Sequence, residues 1–127
     1  MASGVRGPVL VVEDDAETRL AYRALLEHAG WSVQEASDGE EALLLAATHP
    51  PSVVVVDISI PRVDGWETTR RLKLDQRTSR VPVLLVTGHA LDEDRRRARE
   101  LGCDGYLVKP ISPMLLVEEV ERLAALD

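Results

Sequence analysis

The sequence predicts an α/β domain, a doubly wound, five-stranded parallel sheet with helices on both faces. Three observations carry that prediction. Five short runs rich in Val alternate with longer segments of helical periodicity along 127 residues. The clearest runs are apolar at every position, which suits strands covered on both faces. The segments between them are long enough for helical crossovers, and strands joined that way lie parallel. The length is that of one ordinary domain, so residues 1–127 are read as a single domain with 1–7 as a loose N-terminal tail.

Each element has its own signal. Val9, Leu10, Val11 and Val12 form the first strand. A helix follows over 16–29, with Leu20, Ala24 and Leu25 on its apolar side and Gly30 placed to end it. Residues 32–36 make a weaker second strand. Asp38 opens the second helix, and Glu41 completes something close to a capping box. Ala42, Leu45 and Ala46 mark that helix's buried face. The run from Val53 to Val56 is wholly β-branched and makes the third strand. Asp64 and Gly65 start a third helix that reaches Leu74. Pro82 leads into the fourth strand at 83–86, in an edge position where proline is tolerated. The fourth helix covers 92–101, with Gly102 behind it, and the fifth strand 106–108. Ser112 and Pro113 are N-cap and first-turn residues for the last helix, whose apolar stripe is Leu116, Val120 and Leu123.

Composition removes several function classes. The net charge is −7, whereas nucleic-acid binding needs basic surface to neutralise phosphates, so no direct nucleic-acid binding is expected. Cys103 is the single cysteine and cannot form an internal disulfide; a small buried thiol in a reducing compartment is the expectation. No apolar run approaches the ~20 residues of a membrane span, and the N-terminus lacks the apolar block of a signal peptide. The chain is therefore expected to be cytoplasmic, without membrane contact.

In open parallel sheets, ligands bind beyond the C-terminal ends of the strands. Glu13, Asp14 and Asp15 follow the first strand, Asp57 the third, Thr87 the fourth and Lys109 the fifth. Two carboxylates about 4 Å apart repel by roughly 1 kcal/mol in water and by roughly 4 kcal/mol at an effective dielectric of about 20. Several acids in one pocket therefore need a cation or a raised pKa. A hard divalent ion, Mg²⁺ or Mn²⁺, suits such an all-oxygen site. With Lys109 and the Thr87 hydroxyl, the pocket is equipped to hold a phosphoryl group. Asp57 is the candidate nucleophile, since a carboxylate can form an aspartyl-phosphate. Such a transfer needs mainly positioning and charge neutralisation.

Five segments carry a resemblance. They are the run from Val9 to Glu13, Asp14 and Asp15; Val55-Val56-Asp57; Pro61 through Asp64 and Gly65; Val86-Thr87-Gly88; and Tyr106 through Lys109 and Pro110. In order and spacing they resemble the receiver domain of two-component response regulators, over essentially the whole chain. The resemblance implies the flavodoxin-like strand order 2-1-3-4-5, with the first and third strands adjacent. It implies Asp57 as phosphoacceptor and a metal held by Asp14, Asp57 and the backbone carbonyl of Ser59, with Glu13 acting mainly through a metal-bound water. It places Thr87 and Lys109 on the phosphoryl oxygens, makes the Lys109–Pro110 bond cis, and makes Tyr106 an aromatic switch that follows Thr87. The implied donor is phospho-His of a sensor histidine kinase or phosphotransfer protein. The implied output is a downstream effector protein or effector domain, reached through the face of the fourth helix, fifth strand and fifth helix. A receiver catalyses only its own phosphorylation and dephosphorylation, so no further enzyme activity is expected.

Some positions depart from the pattern. Glu13 stands where Asp is common, and Gly88 where Ala or Ser is usual, making that loop more permissive. Ser59 and His89 occupy the two variable positions flanking the phosphoryl group and are expected to modulate its hydrolysis. Arg95, Arg96, Arg97 and Arg99 form a basic run, read as a solvated face with pairs such as Asp92 to Arg96 and Glu93 to Arg97. The fourth helix has few apolar anchors, chiefly Leu91, Ala98 and Leu101, which suits a moving element. Its arginines, against Glu118, Glu119 and Glu121 of the last helix, suit a homodimer through the same face.

Plainer readings remain for several residues. Asp15 and Asp64 are expected to cap helices rather than bind metal, and Trp31 and Trp66 to pack. Three rival functions are open. A metal-dependent phosphatase would need a second acid at position 59, where Ser59 stands. A pseudo-receiver, binding partners without phosphorylation, would not need Asp57, Asp14 and Lys109. A flavin-phosphate binder would be repelled by the acids.

Overall fold

A computed structural model of the protein describes residues 6–88 and 91–126. Strands and helices alternate as β1 (Arg6–Val12), α1 (Ala16–His28), β2 (Trp31–Ala36), α2 (Gly39–Thr48), β3 (Val53–Asp57), α3 (Gly65–Leu74), β4 (Val83–Thr87), α4 (Asp92–Glu100), β5 (Gly105–Val108) and α5 (Pro113–Ala124). All strand pairs are parallel, in the order β2-β1-β3-β4-β5. This is the flavodoxin-like arrangement that the sequence led us to expect.

The continuous apolar runs divide by the two-residue period of a strand. Val9, Val11, Val53, Val55, Leu84 and Val86 face one side, packed with Leu26 of α1 and Leu116, Val120 and Leu123 of α5. Leu10, Val12, Val54, Val56, Val83 and Leu85 face the other, against Ala42 and Ala46 of α2 and Trp66 and Leu72 of α3. Burying a Val or Leu side chain contributes about 1.5–3 kcal/mol, so the three central strands anchor the molecule and hold their C-terminal ends rigidly.

Four helix starts are closed by the side chains that the sequence singled out. Asp15 accepts from the Thr18 amide at 3.0 Å, Asp38 from Glu41 at 2.8 Å, Asp64 from Glu67 at 2.8 Å and Ser112 from Leu115 at 3.0 Å. Glu41 reaches back to the Ser37 amide at 2.8 Å, one residue beyond a standard capping box.

Three expectations change. The first strand begins at Arg6, so Arg6 and Gly7 are not tail: Arg6 pairs with Trp31, and its amide donates to the Gly30 carbonyl at 2.9 Å. Gly7, at φ 115°, and Pro8 interrupt the register there, which hides the strand from an apolar pattern. The pairs expected along α4 do not form among the described residues. Arg97 lies over the Trp66 ring instead, 4.4 Å from its centroid, and Arg95 over Tyr106 at 4.9 Å. Leu91 is 55% exposed rather than an anchor, which leaves Ala98 as the buried residue of α4. Among the described residues, no helix is long and apolar enough to cross a membrane.

Candidate functional site

The sheet register delivers the site. Val12 pairs with Val56, so Glu13 and Asp57 leave adjacent strands side by side. Asp57 pairs with Val86, and Thr87 with Val108, the residue before Lys109. The Lys109 amide donates to the Thr87 carbonyl at 2.7 Å, and the Lys109–Pro110 bond is cis.

Lys109 Nζ lies 2.5 Å from Asp57 Oδ2 and 3.1 Å from Glu13 Oε1. Glu13, Asp57 and Thr87 are all buried, whereas the Lys109 side chain is about one-third exposed at 32%. Burial pushes the Glu13 carboxyl up to about 7, aided by the nearby Asp57 carboxylate and opposed by hydrogen bonds from the Asp15 amide and Lys109. Burial would lower the Lys109 pKa, but hydrogen bonds to Asp57 and Glu13 outweigh it and hold the ammonium well above its usual range. The pocket therefore keeps a firm cation beside two buried acids and still under-compensates one of them.

Backbone geometry fixes Asp57 from below. The Ser59 amide donates to Asp57 Oδ1 at 2.9 Å, and the Gly65 amide to the Ile58 carbonyl at 2.9 Å. A Cβ on Gly65 would sit 2.6 Å from the Asp57 carbonyl oxygen, so only glycine lets α3 start this close.

Not every expected residue converges. Asp14 is exposed at the mouth of the pocket, and Asp15 is turned away into its capping role. Ser59 is exposed beside Asp57. Tyr106 is partly buried, packed against the core cluster that includes the buried residues of α2 and α3. His89 lies outside the described residues. Among the described residues, no group of three or more His, Cys, Asp or Glu side chains is gathered as a metal site. Mg²⁺ does not require such a group: it is commonly held by one or two carboxylates, with water completing an octahedron. Two buried carboxylates, one of them with a pKa raised by burial, fit that ion's donor chemistry. Cys103 is half-buried, and burial pushes its thiol up to about 11, which makes it a poor nucleophile.

One contributor escaped the sequence reading. Arg19 donates through Nη1 to the Glu13 carbonyl at 2.8 Å and through Nε to Glu35 Oε1 at 2.9 Å. Glu35 is 16 residues away, on an edge strand, and no local pattern announces the pair.

Comparison with known proteins agrees with this geometry. The model of the response regulator receiver domain family matches residues 9–121. The polar-differentiation response regulator DivK of Brucella ovis is 37% identical over 113 residues, which is 89% of this chain and 92% of DivK. The chemotaxis protein CheY4 of Vibrio cholerae superposes with a TM-score of 0.86 at 29% identity, covering 96% of this chain and 99% of that one. The receiver domain of a sensor histidine kinase from Pseudomonas aeruginosa, solved with magnesium coordinated in its active-site cleft, superposes with a TM-score of 0.85 at 27% identity, covering 98% and 99%. With sheet order, strand-end residues and sequence relatives in agreement, the chain belongs to the response regulator receiver domain family.

Proposed function

We propose that this receiver is a phosphorylation switch with Asp57 as its acceptor. The observation that carries the reading is the Lys109 ammonium held between the buried carboxylates of Asp57 and Glu13. Glu13, Asp14, Asp57 and the backbone carbonyl of Ser59 would hold Mg²⁺, or Mn²⁺. The ion supplies charge neutralisation for the transferring group. A sensor histidine kinase or phosphotransfer protein offers phospho-His. An Asp57 carboxylate oxygen bonds to phosphorus as the P–N bond breaks, and the electron pair leaves on the imidazole nitrogen. The site acts once per phosphorylation, on itself, rather than turning over a separate substrate.

The new group carries about −1.5 to −2 charges. Lys109 exchanges its carboxylate partner for a phosphoryl oxygen, and the Thr87 hydroxyl turns toward the same group. Gly88, which follows, has open space around its Cα and permits that movement. By the family resemblance, Ser59 and His89 hold the two variable positions that set how fast water removes the group. Tyr106 follows Thr87 and loosens its stack with Arg95. A cleft of about 220 Å³ between α4 and β5, lined by Arg95, Ala98, Arg99, Cys103 and Tyr106 among others, changes shape as a result. The α4–β5–α5 face then favours a different partner, an effector protein or domain, by population shift. A homodimer through that face is the further possibility; Glu119 and Glu121 are already paired with Arg122 and Arg6, which leaves Glu118 for the α4 arginines.

Hydrogen exchange with Mg²⁺ and beryllofluoride, a phosphoryl mimic, tests the switch. Changed protection in α4 and β5, distant from the mimic, is expected. Changes confined to the loops around Asp57 would contradict it.

A further inference from the structure

Every polar group of Glu13 is accounted for. Its amide donates to the Ala36 carbonyl at 3.0 Å, Oε1 accepts from Lys109, Oε2 accepts from the Asp15 amide at 3.1 Å, and its carbonyl accepts from Arg19 at 2.8 Å. Asp14, the next residue, is exposed, and among the described residues no hydrogen bond or ion pair holds its carboxylate. What orients Asp14 is therefore the Glu13–Asp14 peptide, and the side chain that fixes this peptide is Arg19. Arg19 is itself held from behind. Its side chain is 19% exposed and pairs with Glu35, which Arg23 also grips. The hydrogen bond from Arg23 is the main cause holding the Glu35 carboxyl below its ordinary range, so Glu35 is a firmly ionised anchor.

We infer that Arg19, backed by Glu35, is a positioning residue that presents Asp14 to the divalent cation. The inference rests on the proposed metal-dependent reading of the Asp57 site. Glu35 neutralises the guanidinium, so the clamp brings hydrogen-bond geometry to the acidic loop without adding net positive charge beside a cation site. It also ties the loop to the β2 edge of the sheet, where Val11 pairs with Glu35 and Val12 with Ala36. Partners behind a metal ligand commonly change metal affinity by an order of magnitude or more when removed.

The sign of the effect separates this role from two simpler ones. If Arg19 acted only through its charge, removing it would tighten cation binding, since a like charge near the site would be gone. If it acted only on the fold, thermal stability would fall with Mg²⁺ affinity unchanged. A positioning role predicts weaker binding. Titration calorimetry of the intact protein with Mg²⁺ is the experiment, with thermal unfolding in chelator alongside. For Arg19→Met, the Mg²⁺ dissociation constant is expected to rise about tenfold. Arg19→Lys, able to reach Glu13 or Glu35 but not both, should recover part of the affinity, and it serves as the test if Arg19→Met fails to fold. Affinity in these variants equal to or tighter than wild type overturns the inference while leaving the Asp57 site intact. A wild-type protein that takes up no Mg²⁺ overturns the reading of the site itself and the inference with it.

Discussion

Arg97 of α4 rests on the indole of Trp66 in the first turn of α3, its guanidinium carbon 4.4 Å from the ring centroid. Trp66 follows Gly65, whose amide is bonded to the Ile58 carbonyl next to Asp57. Helix α4 is thus latched, through one cation–π contact, to the segment that carries Asp57. Contacts of this kind contribute about 0.5–1 kcal/mol at accessible sites. Arg97→Gln should lower stability by about that amount and accelerate amide exchange in α4, with the β1–β3 core unchanged. Uniform acceleration across the sheet would contradict the latch.

Lys109 holds two buried acids together, so Lys109→Met should be costly. Losing one partner of a buried ion pair costs about 3–5 kcal/mol. Lys109 is 32% exposed, and solvent screening reduces the expected loss to about 1–2 kcal/mol. Phosphorylation should fall far more than stability does. Urea denaturation and intact-mass kinetics measure the two effects, and comparable small losses in both would argue against a role at the phosphoryl group.

The raised Glu13 carboxyl makes the metal-free protein pH-sensitive. Its folded-state value of about 7 lies above the ordinary 4.5. Folding thus favours its protonated form, and that contribution is complete below 4.5 and lost as pH rises through about 7. Denaturation midpoints in chelator should fall across this interval, and Mg²⁺ should restore them at the upper end. Glu13→Gln should flatten the dependence. A profile that rises with pH over the same range, and is unaffected by Glu13→Gln, would contradict the assignment.

Gly65→Ala places a methyl 2.5 Å from the Ile58 Cα and 2.6 Å from the Asp57 carbonyl oxygen. Overpacking against backbone costs about 1–3 kcal/mol, and here the strain falls on the Asp57–Ile58 backbone. A crystal structure of the variant should show α3 displaced from Asp57, with slower phosphorylation. Wild-type kinetics would show that the close approach serves packing alone.

Much of this was legible in the sequence, for identifiable reasons. Fully apolar runs such as Val53 to Val56 betray strands covered on both faces, and strand ends are where chemistry sits in such sheets. Asp15, Asp38, Asp64 and Ser112 announce helix starts because capping is local. What escaped is non-local. Arg6 joins β1 only by pairing with Trp31 across the sheet. Arg97 prefers a distant indole to Glu93 of its own helix, because stacking on a buried ring outcompetes a solvated ion pair. Asp14 is expected in a pocket with Glu13 and Asp57, yet Lys109 sits between those two acids and Asp14 lies exposed.

The decisive measurement is the intact mass of wild type and Asp57→Ala after incubation with acetyl phosphate, with Mg²⁺ or with chelator. The predicted result is a gain of one phosphoryl group that requires Mg²⁺, appears only in the wild type and is lost in hydroxylamine. No adduct on the wild type, or an equal adduct on Asp57→Ala, would contradict a metal-dependent switch centred on Asp57.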